Sequence, residues 1–248
     1  MRLASRQREG LPNFMHGTVV DMHVHTVRGA SDSSLTPEEL IEEARRIGLG
    51  GVNISEHDRV WEVGEIEEFR RESGLFVSRG MEVSTDLGHM IVIGLDSYLP
   101  GIRRAAELRR AVDEVGGFMI VAHPFRHFFD PIHFRRDGRP PFDMTPEEAA
   151  ERMAVFRLVD ELEVANGGCT PQENQFALRL ARVLGKRGVG ASDCHSTQGV
   201  GYFTTAFEEE LRDQAHMLAE LRAGRYQAHE GLNVGEFRPY VEQATAPN

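Results

Sequence analysis

Nine side chains able to hold a divalent cation stand at or beside the ends of short β-type runs in this sequence. His23 and His25 lie in Asp-Met-His-Val-His-Thr; at spacing two in an extended chain both imidazoles point to the same side, as a pair of metal ligands requires. Ser31-Asp32-Ser33-Ser34 puts a carboxylate in a polar loop, and Ser55-Glu56-His57-Asp58 ends the second run with three ionisable groups in a row. Glu82 ends the third run and His89 begins the next; His123 ends Phe-Met-Ile-Val-Ala-His, and Asp193 with His195 ends Arg-Gly-Val-Gly-Ala-Ser-Asp-Cys-His. One histidine at a strand end is usually structural, and His16, His216 and His229 are read that way. Nine His, Asp and Glu residues recurring at one kind of position point instead to a metal centre, provided the strands bring those ends together.

Parallel βα units do so. In such a barrel, residues just after each strand gather at the carboxyl end whatever their separation in sequence. Short β-type runs alternate with longer helical patterns along most of the chain, the pattern of a mainly parallel sheet. The runs are 18–22, 51–55, 75–82, 89–95, 118–122, 159–165, 187–191, 202–207 and 225–229. They amount to about seven principal strands, enough to close a barrel, with a β-β step between the third and fourth. The first helix starts at Thr36, where Thr-Pro-Glu-Glu supplies an N-cap, a first-turn proline and first-turn acid, and it closes at Gly48. Further helices are expected at 62–73, 101–115, 146–157, 171–185 and 209–223, with Glu208, Glu209 and Glu210 favoured by the dipole at the start of the last. Segment 124–145, with Pro124, Pro131, Pro140 and Pro141, breaks all periodicity and reads as a long excursion over one end of the fold. The expected organisation is an N-terminal arm at 1–17, a single barrel domain at 18–230 and a C-terminal extension at 231–248.

Composition narrows the function classes. The 248 residues carry a formal charge of −11, which opposes non-specific binding to a polyanion and is partly offset by a bound metal cluster. No apolar run is long enough for a signal sequence or a membrane span. The two cysteines, Cys169 and Cys194, are too few to staple the domain, and cytoplasmic residence is the simpler reading. Cys194 alternates with Asp193 and His195 and so faces away from them; Cys169 reads as a buried loop thiol. The nine candidate ligands offer only nitrogen and oxygen, a mixed set compatible with zinc, manganese or iron.

The motifs together resemble the PHP family, the polymerase and histidinol phosphatase domains, from about residue 18 to 230. The resemblance rests on DMHVHT with SDSSLTPEEL, NISEHD, GMEVS with HMIVIGL, VAHPFR, EVANG and GASDCHS. It implies a distorted (β/α)7 barrel, a PHP-type TIM-like α/β fold, whose carboxyl-end cleft holds two or three divalent metals for phosphoester hydrolysis. Carried over by position, His23, His25, Glu82 and Asp193 hold a first metal; Glu82 bridges to a second held by His89 and His123; Asp32, His57 and His195 hold a third. Glu82, Asp193 and His195 are the expected catalytic residues among them. Two departures from the family pattern are visible: Glu56 stands where an aspartate is usual, and Ser33 follows Asp32 where a glycine is usual. Metals about 3.5–4 Å apart can share a water, lower its pKa and neutralise charge on a leaving oxygen, so no protein nucleophile is required.

Substrate recognition is expected in the excursion, where Arg126, Arg135, Arg136 and Arg139 stand with His127 and His133. Arg126 is the best placed, three residues from His123, because a guanidinium forks onto phosphate oxygens. His127 or His133 could protonate a leaving group. Asn166 ends its strand and could donate to a substrate oxygen, with Glu163 on the same strand facing the same way. The leading function is hydrolysis of a small phosphomonoester or nucleotide. A 5'-3' exonuclease acting on single-stranded RNA or DNA ends or short oligonucleotides is the enzymatic alternative, for which Phe125, Phe128, Phe129 and Phe134 could form a stacking platform. A small satellite core is the plainer reading of those rings. A catalytically silent accessory module is the third alternative, against which the complete ligand set argues. The expected partner is a small phosphorylated substrate, with short single-stranded nucleic acid as the alternative and no membrane; nothing in the sequence fixes an oligomeric state.

Overall fold

Strands β1 (Val19–Val24), β2 (Gly51–Ile54) and β3 (Phe76–Thr85) run parallel in a computed structural model that describes residues 17–138 and 140–243. His16, Arg139, most of the expected N-terminal arm and the last five residues lie outside the described residues, as does the side chain of Phe134. Only Asp86 and Leu87 separate β3 from β4 (Gly88–Ile93), too short a link for a crossover, so the two pair antiparallel. β5 (Phe118–Val121) is antiparallel to β4, and β6 (Glu161–Asn166) and β7 (Val189–Ala191) follow in parallel. Across β1 lie β8 (Phe203–Phe207), β9 (Tyr226–Glu230) and β10 (Arg238–Pro239), each antiparallel to its neighbour. The order is β10-β9-β8-β1-β2-β3-β4-β5-β6-β7.

The fold is α/β with a curled sheet, but among the described residues ten strands stand where about seven are expected, and the sheet is mixed, not mainly parallel. Its curl brings β7 back to β1. Val24 pairs with Cys194 in a parallel bridge, and His25 N–H donates to the Cys194 carbonyl at 3.1 Å. Val20 and Met22 of β1 share one buried cluster with Ile91 and Ile93 of β4 and Ile120 of β5. Strands that far apart in the order can meet only across the inside of a curled sheet.

The helices are α1 (Pro37–Ile47), α2 (Val63–Ser73), α3 (Ala105–Glu114), α4 (Pro131–Asp137), α5 (Pro146–Arg152), α6 (Pro171–Val183) and α7 (Gln214–Ala223). α1 has the expected capping box, Thr36 with Glu39, and ends at Gly48 with φ 74°. Its face of Leu40, Ile41 and Ala44 packs on Val52, Ile54 and Val77, each such side chain contributing about 1.5–3 kcal/mol when buried. Thr145 and Thr170 cap α5 and α6 through the same Thr-Pro box.

Several expected boundaries shift. The helix at 101–115 begins at Ala105, and that at 146–157 gives way after Arg152 to a 3-10 turn at Ala154–Arg157. α7 starts five residues late because Asp213 caps it, its side chain accepting from His216 N–H at 2.8 Å. Glu208, Glu209 and Glu210 therefore do not sit on the helix; the Glu209 carbonyl instead accepts from Thr18 N–H, and Glu208 N–H donates to Arg225. The excursion is partly helical, since it contains α4, and β10 lies in the C-terminal extension.

Candidate metal centre

Two irregularities in the sheet aim the site's side chains. β1 carries one more residue than β2 between Asp21 and Val24. With that bulge, Val20 and Met22 pack inward while His23 and His25, both fully buried, turn toward the rim. The imidazoles converge as the spacing predicts, their Nε2 atoms 2.8 Å apart. β6 is irregular between Glu163 and Ala165. Residues three apart on a regular strand face opposite sides, yet Asn166 Nδ2 donates to Glu163 Oε2 at 2.7 Å.

Glu82, 2% exposed, occupies the middle of the rim. Its Oε2 lies 2.9 Å from His57 Nδ1, 3.3 Å from His25 Nε2 and 3.5 Å from His23 Nε2. Its Oε1 lies 2.8 Å from His89 Nδ1 and 3.0 Å from His123 Nε2. Asp193 Oδ1 is 3.4 Å from Nε2 of both His23 and His25. Asp32 stands at the outer edge, 62% exposed, 3.5 Å from Nε2 of both His57 and His195. All nine residues singled out in the sequence thus meet at one end of the fold. Eight of them, all but Asp32, fall into groups with ligand atoms within 4.8 Å of one another: His23, His25 and Asp193; Glu82, His89 and His123; His25, His57 and His195.

The donor set fits divalent cations. His23 Nδ1 hydrogen-bonds Glu163 Oε1 at 2.8 Å, which turns Nε2 toward the rim carboxylates. His25 Nδ1 is buried with no hydrogen-bond partner, and its ring stacks between His57 and His195, centroids 4.3 and 4.4 Å away. Burial opposes protonation of His23, but Asp193, Glu163 and Glu82 outweigh it and hold the imidazole well above its usual pKa. Burial would raise Glu82, but the surrounding imidazoles, His23 first, pull it well below the usual carboxylate range. Asp193 is lowered in the same way by His23, His25 and Arg126 against burial. A cation bound there would compete with protons for the same nitrogen and oxygen atoms.

Backbone strain concentrates on the same rim. Among the described residues, four non-glycine residues have positive φ: Asp58 (49°), His123 (29°), His127 (66°) and Asp193 (53°). Each stands beyond a strand's carboxyl end, and two are candidate ligands.

Arg126, about a quarter exposed, donates from Nη2 to Asp193 Oδ2 and, at 3.3 Å, to Asn166 Oδ1. A Cβ on Gly168 would lie 2.0 Å from that Nη2, so the guanidinium needs a glycine there. Asn166 is wholly buried; its Nδ2 donates to Glu163, and its Oδ1 accepts from Gly168 N–H as well as Arg126, so both ends of its amide are engaged by neighbours. His127 is exposed and stacks on His133, and neither belongs to the rim's ligand groups; Arg135 and Arg136 are exposed on α4. Cys194 is buried and its thiol pushed well up by burial; burial likewise pushes Cys169 up to about 12. Phe125, Phe128 and Phe129 pack with Phe142 and Phe176, and instead of a separate satellite core they join the large buried cluster that holds Met81, Met90 and Leu162.

The roles of three residues are not legible in the sequence. Glu163 orients two candidate ligands, taking the His23 ring proton and His123 N–H, the latter at 2.7 Å. Glu56 is no ligand: it is buried and accepts from Thr26 N–H (3.0 Å), Thr26 Oγ1 (2.5 Å) and Trp61 Nε1 (2.9 Å). Asp21 is buried beneath His23, accepts from Ser192 and Gly201 N–H, and is pushed up to about 6 by burial.

This architecture, an α/β half-barrel with a His-, Asp- and Glu-lined rim, has relatives. Residues 171–226 match the PHP-associated family model. The chain is 18% identical to a two-domain Bacteroides vulgatus protein containing a predicted PHP-like metal-dependent phosphoesterase, with a TM-score of 0.61 over 91% of this chain and 69% of that one. It is 26% identical over 114 residues to an uncharacterised protein of Methanocaldococcus jannaschii, 42% of this chain and 67% of that one. A 5'-3' exoribonuclease of Haemophilus influenzae is 28% identical over 98 residues, 38% of this chain and 35% of the exoribonuclease; the chain thus spans about a third of that enzyme's length. The matched segment is similar to the PHP-associated family, and the fold of the whole chain is similar to that of the PHP-like protein. Among the described residues no helix is long and apolar enough to cross a membrane.

Proposed function

We propose that the chain is a metal-dependent phosphohydrolase that cleaves a small phosphomonoester or nucleotide, using two or three divalent ions of zinc, manganese or iron. The observation that carries this reading is Arg126 poised beside Asp193 at the edge of the nine-residue rim. His23, His25, Glu82 and Asp193 would hold one ion, Glu82, His89 and His123 a second, and Asp32, His57 and His195 a third. Bound there, the ions would supply an activated water and neutralise phosphate charge. Glu82, facing the most imidazoles, fixes their spacing; Glu163 fixes the tautomer of His23.

Arg126 would fork onto phosphate oxygens entering the rim, its charge raised in persistence by Asp193 against the opposing effect of burial. Asn166 holds that guanidinium in position. Beside Arg126 opens a largely apolar cleft of about 340 Å³, lined among others by His127, Phe128, Phe142, Met144 and Arg152. That volume suits the organic part of a small ester. Phe125, Phe128, Phe129 and Phe142 are turned onto one another and onto Phe176, and Phe125 is 1% exposed, so these four offer a poor stacking track for a strand of nucleic acid. The monoester reading is therefore favoured over the nuclease.

The test is an assay of metal-replete protein against p-nitrophenyl phosphate, bis-p-nitrophenyl phosphate and a nucleotide panel. Faster cleavage of the monoester is expected; preference for diesters or oligonucleotides would support the nuclease. His123→Ala and Asp193→Ala are expected to abolish turnover in a folded chain, and wild-type rates in either would refute the assignment.

A further inference from the structure

His127, Asp130 and His133 lie at equal spacing in the excursion and share no member with the groups of the rim. Their ligand atoms lie within 4.8 Å of one another. The imidazoles of His127 and His133 stack with centroids 3.9 Å apart and planes 12° from parallel. Two imidazolium ions would repel at that separation, so at least one ring is neutral and presents a lone pair. Asp130 keeps its charge: Oδ1 accepts from Ile132 N–H at 2.8 Å, and the Ile132 and His133 contacts lower its pKa. Its Oδ2 lies 2.7 Å from His133 Nδ1.

We propose that His127, Asp130 and His133 form a separate cation site for a borderline divalent ion of the zinc class. Two imidazoles and one carboxylate are a donor set for such an ion, with solvent available for the remaining position because all three residues reach the surface. The positive φ of His127 supports a built arrangement, since a strained non-glycine backbone persists where its surroundings fix it. Binding would displace the His133 ring proton from Asp130. It would also tie the turn at His127 to the first turn of α4, bracing one wall of the cleft, which His127 lines. The inference stands independently of the phosphohydrolase reading.

The full chain, loaded with zinc and dialysed, is compared with Asp130→Asn and His133→Ala by elemental analysis. Each variant should hold one zinc equivalent fewer per chain. In parallel, zinc should slow amide hydrogen exchange across 127–137 in the wild type and in His123→Ala, whose lesion lies on the rim, but not in His133→Ala. Equal zinc content in wild type and both variants, or exchange across 127–137 indifferent to zinc in the wild type, overturns the proposal.

Discussion

Glu163 Oε1 sits 2.8 Å from His23 Nδ1, on the side of the ring opposite the rim carboxylates, and its other oxygen receives the His123 amide at 2.7 Å. One carboxylate from β6 therefore sets the ring of a β1 histidine and the backbone of a β5 histidine. Groups that hold a ligand's second nitrogen typically account for 10–100-fold in metal affinity. Glu163→Ala is expected to weaken zinc binding by about that factor in a chelator competition titration. An unchanged Kd would show that His23 needs no such partner.

Gly168 gives Arg126 its room. An alanine there would put a methyl 2.0 Å from Nη2 and force the guanidinium off Asp193. Gly168→Ala should therefore mimic Arg126→Ala: KM for the phosphomonoester rises about tenfold, an Arg–phosphate contact of roughly 1.4 kcal/mol, with metal content unchanged. Steady-state kinetics beside elemental analysis decide it; a wild-type KM in both variants removes Arg126 from substrate binding.

Glu56 is a structural strut, whatever the usual residue at its position in the family. Removing it strands the Thr26 and Trp61 donors in a buried pocket. Glu56→Ala is expected to destabilise the chain by about 3 kcal/mol, from unpaired buried donors together with the cavity left behind. Denaturant titration gives the value. A change below about 0.5 kcal/mol, the range of ordinary surface substitutions, would mean the network contributes nothing.

Protons and cations compete at His23. Its imidazole is held well above its usual pKa by Asp193, Glu163 and Glu82 despite burial, so the metal-free chain keeps that proton to higher pH than a free imidazole does. The cation must expel it, and affinity falls as pH is lowered, about tenfold per unit for each proton released. Calorimetry in buffers of different ionisation enthalpy should register at least one proton released per chain at pH 7; a buffer-independent heat would contradict it.

Much of the rim was legible because strand ends carry it. His23 and His25 at spacing two, and a His or Asp closing each run, specify convergence once parallel units are recognised. The geometry that completes it was not. The bulges in β1 and β6 leave no mark in hydrophobic alternation, so the part played by Glu163 stayed hidden although its strand was recognised. The antiparallel β4 followed from the short β-β step, while β10 is too brief for a pattern to reveal. The start of α7 was misjudged because three glutamates resemble a first turn, whereas Asp213 makes the actual cap.

Four side chains held at positive φ ring the working end of the molecule, each an arrangement that costs about 1–3 kcal/mol. Selection for heat tolerance alone would release that tension, replacing Asp58, His123, His127 or Asp193 with glycine or asparagine before touching the interior. Thermal hardening and reactivity thus draw on the same few positions, and a toughened descendant of this chain would be expected to give up its chemistry at His123 and Asp193 first.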